Sequence, residues 1–595
     1  MVMSRTVLRG LILGMLLTIL TAGGVLADIG KPNVVIVLTD DQGYGDLSCH
    51  GNPILKTPQL DRLHHESIRL TDFHVAPMCT PTRSQLMSGR DALDNGAMNV
   101  SSGRTMLRRE IPTMADFFAD SGYRTGLFGK WHLGDSYPYR PQDRGFEKAI
   151  WFPSSHIPSA PDYWCNDYFD THFRLEDGTI RQFKGYCTDV LFDEAMAWMR
   201  ERAGAAEPFF AYIPLNAAHA PLWVPGKYRE PYRELKAEVA SYFAMIANID
   251  ENMGRLEAML AETGLRDNTL LIFMTDNGGT FGVPIFNAGM KGRKITLWEG
   301  GHRVPCFIRW PAGRLGSPRD VDELTQVQDL LPTLADLCSL TVPSDWPTDG
   351  MSLANLLRGE CSHLDDRMLV VQFSRMDHPS PQKADAAVLW KKWRLLPDRA
   401  LYDVANDPAQ EHDVAEKHPE IVEQMRAHYD RWWAEIEPRV NEFSNLIIGS
   451  EAEPITVLSP ADWQDVFLDQ QLQVRRGLLR SGPWGLEVAR DGTYVFELRR
   501  WPREADLPLT GGAPPFEGGD GRLPAGTPLP IANAKLRVGA FEQVQEVREG
   551  DTFVRFIVPL KKGTTKAQTW FYDAQENELC GAYYVYVQLQ HSLDE

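Results

Sequence analysis

Apolar residues are not spread evenly along the chain but gather in runs of two kinds. "NVVIVLTDD" (33–41) is a continuous β-branched run ending in carboxylates, and "TLLIFMTDN" (269–277) repeats the design. "PFFAYIPLNAAH" (208–219) is a looser third case. Such runs read as strands buried on both faces, the pattern of a parallel sheet covered by helices. Between them, "CTDVLFDEAMAWMRERA" (187–203) and "ELKAEVASYFAMIANIDENMGRLEAMLAETG" (234–264) space their apolar residues at three- and four-residue steps, and Gly264 closes the second. Strands alternating with helices predict an α/β fold with a large, mostly parallel central sheet, in which a ligand site lies beyond the carboxyl ends of the strands. Asp40, Asp41, Asp276 and Asn277 sit at such ends.

The pattern changes further on. Around 401–438 an amphipathic helix is expected to close a subdomain of about 365–454. Beyond it, "GTYVFELRRWP", "DTFVRFIVPL", "KAQTWFYDA" and "CGAYYVYVQL" are short aromatic and β-branched runs separated by turns, with a Gly/Pro-rich loop between the first two. We therefore expect an α/β body over 28–454 and an accessory β domain, a sandwich, over 455–595. At the other end, Arg5 and Arg9 precede the apolar run Leu11 to Leu20 and then "VLA", the layout of a secretory signal over 1–27 cut after Ala27. An exported protein, periplasmic or secreted and without stable membrane insertion, follows.

Bulk numbers narrow the function. The net charge of -19 argues against nucleic acid as a partner. Eight cysteines without CxxC spacing disfavour a zinc site, although export would permit some pairing, with Cys165–Cys187 as the expected bond. "NVS" at Asn99 fits a glycosylation sequon, which is weak evidence of function.

Adjacent carboxylates at a buried strand end are costly without a cation. Either pair alone is read more simply as a cap or turn cluster. Two pairs at two strand ends, all oxygen donors, favour a hard divalent ion such as Ca²⁺ over zinc.

The stretch "APMCTPTRSQLMSGR" (76–90) resembles the signature of the formylglycine-dependent sulfatases, C-T/S-P-x-R followed by a small hydroxyl residue, Gly and Arg: here Cys79, Thr80, Pro81, Arg83, Ser88, Gly89 and Arg90. The resemblance runs from about 31 to 440. It implies an alkaline-phosphatase-like fold, sulfuric ester hydrolysis, and oxidation of Cys79 to formylglycine by a sulfatase-maturing enzyme during export. It further implies calcium held by Asp40, Asp41, the modified Cys79, Asp276 and Asn277. "GYRTGLFGKWHLG" is similar to the family's Lys-x-His segment and yields Lys130 and His132, and "NAAHAPLWVP" yields His219. "MKGRKITLWEGGHRVP", anchored on Trp298, places the sulfate-holding lysine at Lys294. Ile295 stands where the family often has Gly, which keeps Lys291 as a competitor. Lys291, His302 and Asp135 are candidate substrate contacts, and His74 flanks the same motifs.

By that resemblance Arg83 holds the modified residue, Lys130 and Lys294 bind sulfate oxygens, His219 protonates the leaving alcohol, and His132 takes a proton as sulfate departs. The chemistry is consistent: a hydrated aldehyde carries two hydroxyls, one to attack and one to expel sulfate, whereas sulfate on a thiolate has no easy exit. A sulfated carbohydrate is the expected substrate, from the accessory β domain and the aromatic insert "WFPSSHIPSAPDYWCNDYFDTHF" (151–173). Two other readings remain open: a phosphate or phosphonate ester hydrolase, and an inactive sulfated-glycan binding protein.

Overall fold

The computed structural model describes residues 30–373 and 378–592, so the expected signal segment lies outside the described residues. Its centre is a ten-stranded sheet. In spatial order the strands are Arg319–Val321, Ile68–Leu70, Cys306–Arg309, Thr269–Thr275, Asn33–Thr39, Phe209–Pro214, Arg124–Lys130, Lys148–Phe152, His172–Leu175 and Ile180–Gln182. The run from Thr269–Thr275 to Lys148–Phe152 is parallel throughout. Cys306–Arg309 is antiparallel to both neighbours, and His172–Leu175 and Ile180–Gln182 continue the far edge antiparallel. The sheet is thus mixed, with parallel pairing where βαβ crossovers lie and hairpin-like pairing towards the edges.

Strand Asn33–Thr39 explains its own composition. Val35 and Val37 enter a core with residues of helices Cys187–Arg200 and Ala237–Glu262. Val34, Ile36 and Leu38 enter a second core with helices Met114–Asp120 and Leu330–Cys338. Alternate side chains leave opposite faces of a strand, so a strand covered on both sides must be apolar at every position.

A four-stranded antiparallel sheet (Leu369–Gln372, Ala386–Trp390, Trp393–Leu395, Leu401–Asp403) packs against helix Pro419–Ile436. C-terminal to it, a six-stranded and a four-stranded sheet share one core that also takes in Met106, Tyr139, Ala160 and Trp164 from the α/β part.

The expected Cys165–Cys187 bond does not form, and all eight cysteines are unpaired. Cys165 Sγ takes a hydrogen bond from Arg475 Nη2 at 2.9 Å, and Cys187 is buried as the first residue of its helix. Asn99 is only 1% exposed, which closes the sequon to modification in the folded chain. Among the described residues no helix is long and apolar enough to cross a membrane.

Candidate active site

Asp40 and Asp276 follow directly on strands paired in register, Leu38 with Met274 and Thr39 with Thr275, so the two carboxylates leave the sheet side by side. Cys79 is the first residue of helix Cys79–Ser88, in which every residue is buried. Cys79 and Arg83 are four apart and share a helix face. From there Arg83 donates to Asp276 Oδ2 from Nε (3.1 Å) and Nη2 (2.7 Å), and from Nη1 to the Lys130 carbonyl (3.3 Å). Gly89, in the left-handed region at φ 65°, ends the helix.

The ligating atoms of Asp40, Cys79 and Asp276 lie within 4.8 Å of one another, as do those of Asp40, Asp41 and His219. Lys130 Nζ donates to Asp40 Oδ2 at 2.6 Å, and Lys294 Nζ to Asp41 Oδ1 at 2.5 Å. Asn277 Nδ2 donates to Asp41 Oδ1 at 3.0 Å. Asp40 Oδ1 and Asn277 Oδ1 are buried and accept no hydrogen bond. Two orphaned oxygens among three carboxylates and an amide fit the kind of donor set that a hard divalent cation takes. Electrostatics agree: burial first, then the charge of Asp40, pushes Asp276 up to about 6. Burial would also raise Asp41, but Lys294 and His219 outweigh it and hold that carboxyl well below its ordinary value.

Two histidines face Cys79 and Asp41. His132 Nε2 lies 3.0 Å from the Val100 carbonyl, which can only accept, so Nε2 carries the proton. Nδ1 is then a lone pair, 3.6 Å from Cys79 Sγ and 3.0 Å from Thr80 Oγ1. By the same logic His219 Nδ1 donates to Ala220 O at 2.6 Å, and Nε2 lies 3.8 Å from Asp41 Oδ2. Burial lowers His219 to about 4 and pushes the Cys79 thiol up.

A family model described as Sulfatase matches residues 32–340. The chain belongs to the sulfatase family. It is a sulfuric ester hydrolase of alkaline-phosphatase-like fold with an additional C-terminal sheet domain. This sulfatase is 29% identical over 370 residues to N-acetylgalactosamine-6-sulfatase of Canis lupus familiaris, covering 58% of this chain and 70% of that one. It is 32% identical over 377 residues to human (Homo sapiens) arylsulfatase A, covering 58% and 71%. It also resembles the crystal structure of Ps i-CgsB in complex with k-i-k-neocarrahexaose, with TM-score 0.61, 25% identity, and coverage of 68% of this chain and 92% of the other.

The fold of the sulfatase brings Asp40, Asp41, Cys79, Arg83, Lys130, His132, His219, Asp276, Asn277 and Lys294 to one place. The other three candidates sit elsewhere. Lys291 Nζ lies 3.6 Å from the Trp298 ring centroid and 3.4 Å from the Gln410 carbonyl. His302 pairs through Nδ1 with His74 Nδ1 at 2.9 Å, in a buried network with Asp72, Glu299 and Arg394. Asp135 accepts from Ser154 N at 3.0 Å and lines a cavity with Asp162 and Asp462.

Some contacts carried no sequence signal. Tyr242, deep in a long helix, places its single-proton hydroxyl 2.7 Å from Asp41 O and 2.6 Å from Asp46 Oδ2. His156 stacks on His219 with centroids 5.3 Å apart. Only the oddity of a "PSSH" run inside an aromatic insert could have drawn attention to it.

Proposed function

We propose that this sulfatase is exported and hydrolyses a sulfate monoester of a carbohydrate, with Cys79 oxidised to formylglycine by a maturing enzyme and Ca²⁺ held by Asp40, Asp41, Asp276 and Asn277. The observation that carries the reading is the placement of Cys79. It opens a fully buried helix, within 4.8 Å of carboxylate oxygens of Asp40 and Asp276, with the His132 lone pair 3.6 Å away. A thiol whose ionisation burial disfavours is a poor nucleophile, which supports a modified side chain.

When present, the hydrated formylglycine supplies paired hydroxyls, and the cation supplies positive charge beside the nucleophile and the sulfate oxygens. The chain's own residues do the rest. Arg83 neutralises Asp276 and ties the helix bearing Cys79 to the strand ends. Lys130 and Lys294 place ammonium groups on Asp40 and Asp41, the carboxylates that would also hold the cation, which would leave their N–H groups for sulfate oxygens. His132 accepts a proton at Nδ1, and His219, whose Nδ1–H stays on the Ala220 carbonyl, delivers one to the leaving oxygen from Nε2 in its imidazolium form, which burial disfavours and a bound sulfate anion would favour.

A sugar substrate is supported by the N-acetylgalactosamine-6-sulfatase relative and by the oligosaccharide in Ps i-CgsB. A cleft of about 630 Å³ beside Lys294, lined by Ile295, Leu297, Trp298 and Phe373, offers aromatic faces to a sugar ring. The mass of the peptide carrying residue 79, from active protein made in the native host, tests the mechanism, and an unmodified thiol there sinks it. A panel of sulfated mono- and disaccharides tests the substrate class: release of sulfate from aryl esters alone would overturn the sugar reading.

A further inference from the structure

The C-terminal sheets reach the catalytic centre through the segment after their strand Ile455–Leu458, where Phe467 packs against the cluster of Met78, Cys79 and Val100 and Asp469 faces a loop of the α/β part. Residues 459–471 leave strand Ile455–Leu458 and run along the loop 153–160 of the α/β part. Ala160 N donates to Asp469 O at 2.6 Å, and Ser159 and Gln470 form a β-bridge. Along this seam Ser155 Oγ donates to Asp469 Oδ2 at 2.9 Å, and His156 Nδ1 lies 2.8 Å from Ser155 Oγ. A serine hydroxyl has one proton, and here the carboxylate takes it. The second bond therefore runs from His156 Nδ1–H to Ser155 Oγ, which fixes the tautomer and plane of the His156 ring.

That ring lies on His219, 24° from parallel. His219 is thus clamped at its edge by the Ala220 carbonyl and on its face by His156, which leaves Nε2 free to work. Packing alone does not call for Asp469. It is 3% exposed, its Oδ1 has no partner, and an apolar residue would cost less there. Burial pushes its carboxyl up to about 6, against the opposing pull of the Ser155 hydrogen bond and the charges of Lys130 and Lys294.

We propose that Asp469 is a positioning residue for His219, acting through Ser155 and His156, so that the C-terminal sheet domain completes the proton-donating half of the catalytic site. The proposal rests on His219 as the donor to the leaving oxygen. A test must therefore separate protonation of the leaving group from the rest of the reaction. Nitrophenolate departs with little help, whereas a phenolate, whose conjugate acid has a pKa of about 10, needs a proton.

For Asp469→Leu we expect kcat on phenyl sulfate to fall on the order of 10- to 100-fold while kcat on 4-nitrophenyl sulfate and both KM values change less than about threefold. Asp469→Asn keeps an oxygen to accept from Ser155 and should stay within about threefold of wild type on both esters. Equal loss on both esters in Asp469→Leu, or loss on neither, overturns the proposal. His219→Ala must show the same ester-selective loss. If it does not, the reading of His219 is wrong and the proposal falls with it, whereas selective loss in His219→Ala without it in Asp469→Leu refutes Asp469 alone. Should neither ester turn over measurably, a crystal structure of Asp469→Leu decides. Displaced or multiple His156 and His219 rings support the proposal, and unchanged rings refute it.

Discussion

Lys294 and Lys291 are three residues apart, and the motif anchored on Trp298 favoured Lys294 while keeping Lys291 as a competitor. In the structure Lys294 is paired with Asp41, while Lys291 lies over Trp298 and near a carbonyl. Removing a preorganised donor to developing charge costs roughly 10²–10³ in rate. Lys294→Ala should lose about that in kcat/KM, and Lys291→Ala no more than about threefold, measured on one sulfate ester under identical conditions. Cys79 and Arg83 were legible only as positions of a motif, and the structure supplies the reason for their spacing: a four-residue step on helix Cys79–Ser88 puts both side chains on one face. What spacing could not supply was the partner of Arg83: Asp276 is 193 positions away.

At the scale of elements, the carboxylates owe their meeting to strand register, and the lysine and histidine beside them owe theirs to a close approach of two strands. Gly129, at φ 137°, precedes Lys130, and a Cβ there would lie 1.8 Å from the Pro214 carbonyl. Gly129→Ala must therefore push apart the strands that lead to Lys130 and His219. We expect about 3 kcal/mol of destabilisation, seen as a lower urea midpoint with unchanged slope. The runs 33–39, 209–214 and 269–275 were legible as strands because burial on both faces demands apolar residues at each position. The short antiparallel strands were not: Cys306–Arg309 pairs with Ile68–Leu70 far away along the chain, and the hairpin of His172–Leu175 and Ile180–Gln182 is mostly polar or exposed and carries no continuous apolar run.

Across the whole molecule, the site gathers three carboxylates, each paired with a cationic side chain, and still leaves Asp40 Oδ1 and Asn277 Oδ1 without a partner, so a cation there should steady it. Calcium at about 100 times its Kd should stabilise the fold by about 2.7 kcal/mol. Thermal unfolding with and without chelator measures this, and Asp40→Asn should abolish most of the difference. A second whole-molecule effect arises where the aromatic insert meets the C-terminal sheets. Burial raises Asp162 to about 8 there, with the hydrogen bond from Asn166 opposing. A carboxyl held protonated in the fold but ionised when unfolded adds stability at low pH that is lost as pH rises from about 4 to about 8. Asp162→Asn should flatten that slope, measured as unfolding temperature at pH 5 and pH 8. The C-terminal sheets, whose aromatic runs announced β structure, share their core with Tyr139 and Trp164, a contact no local pattern reveals.

The sequence by itself determined what depends on neighbours in the chain: buried strands and amphipathic helices. Its motif order also marked the family. Tertiary structure alone decided what depends on distant pairs. It set Lys294 rather than Lys291 against Asp41, left Cys165 and Cys187 apart, and carried Asp469 to the loop that bears His156. The physical reason is range. Periodicity and spacing record local geometry and burial, whereas the register of non-adjacent strands and the seam between two domains are set only when the whole chain has packed.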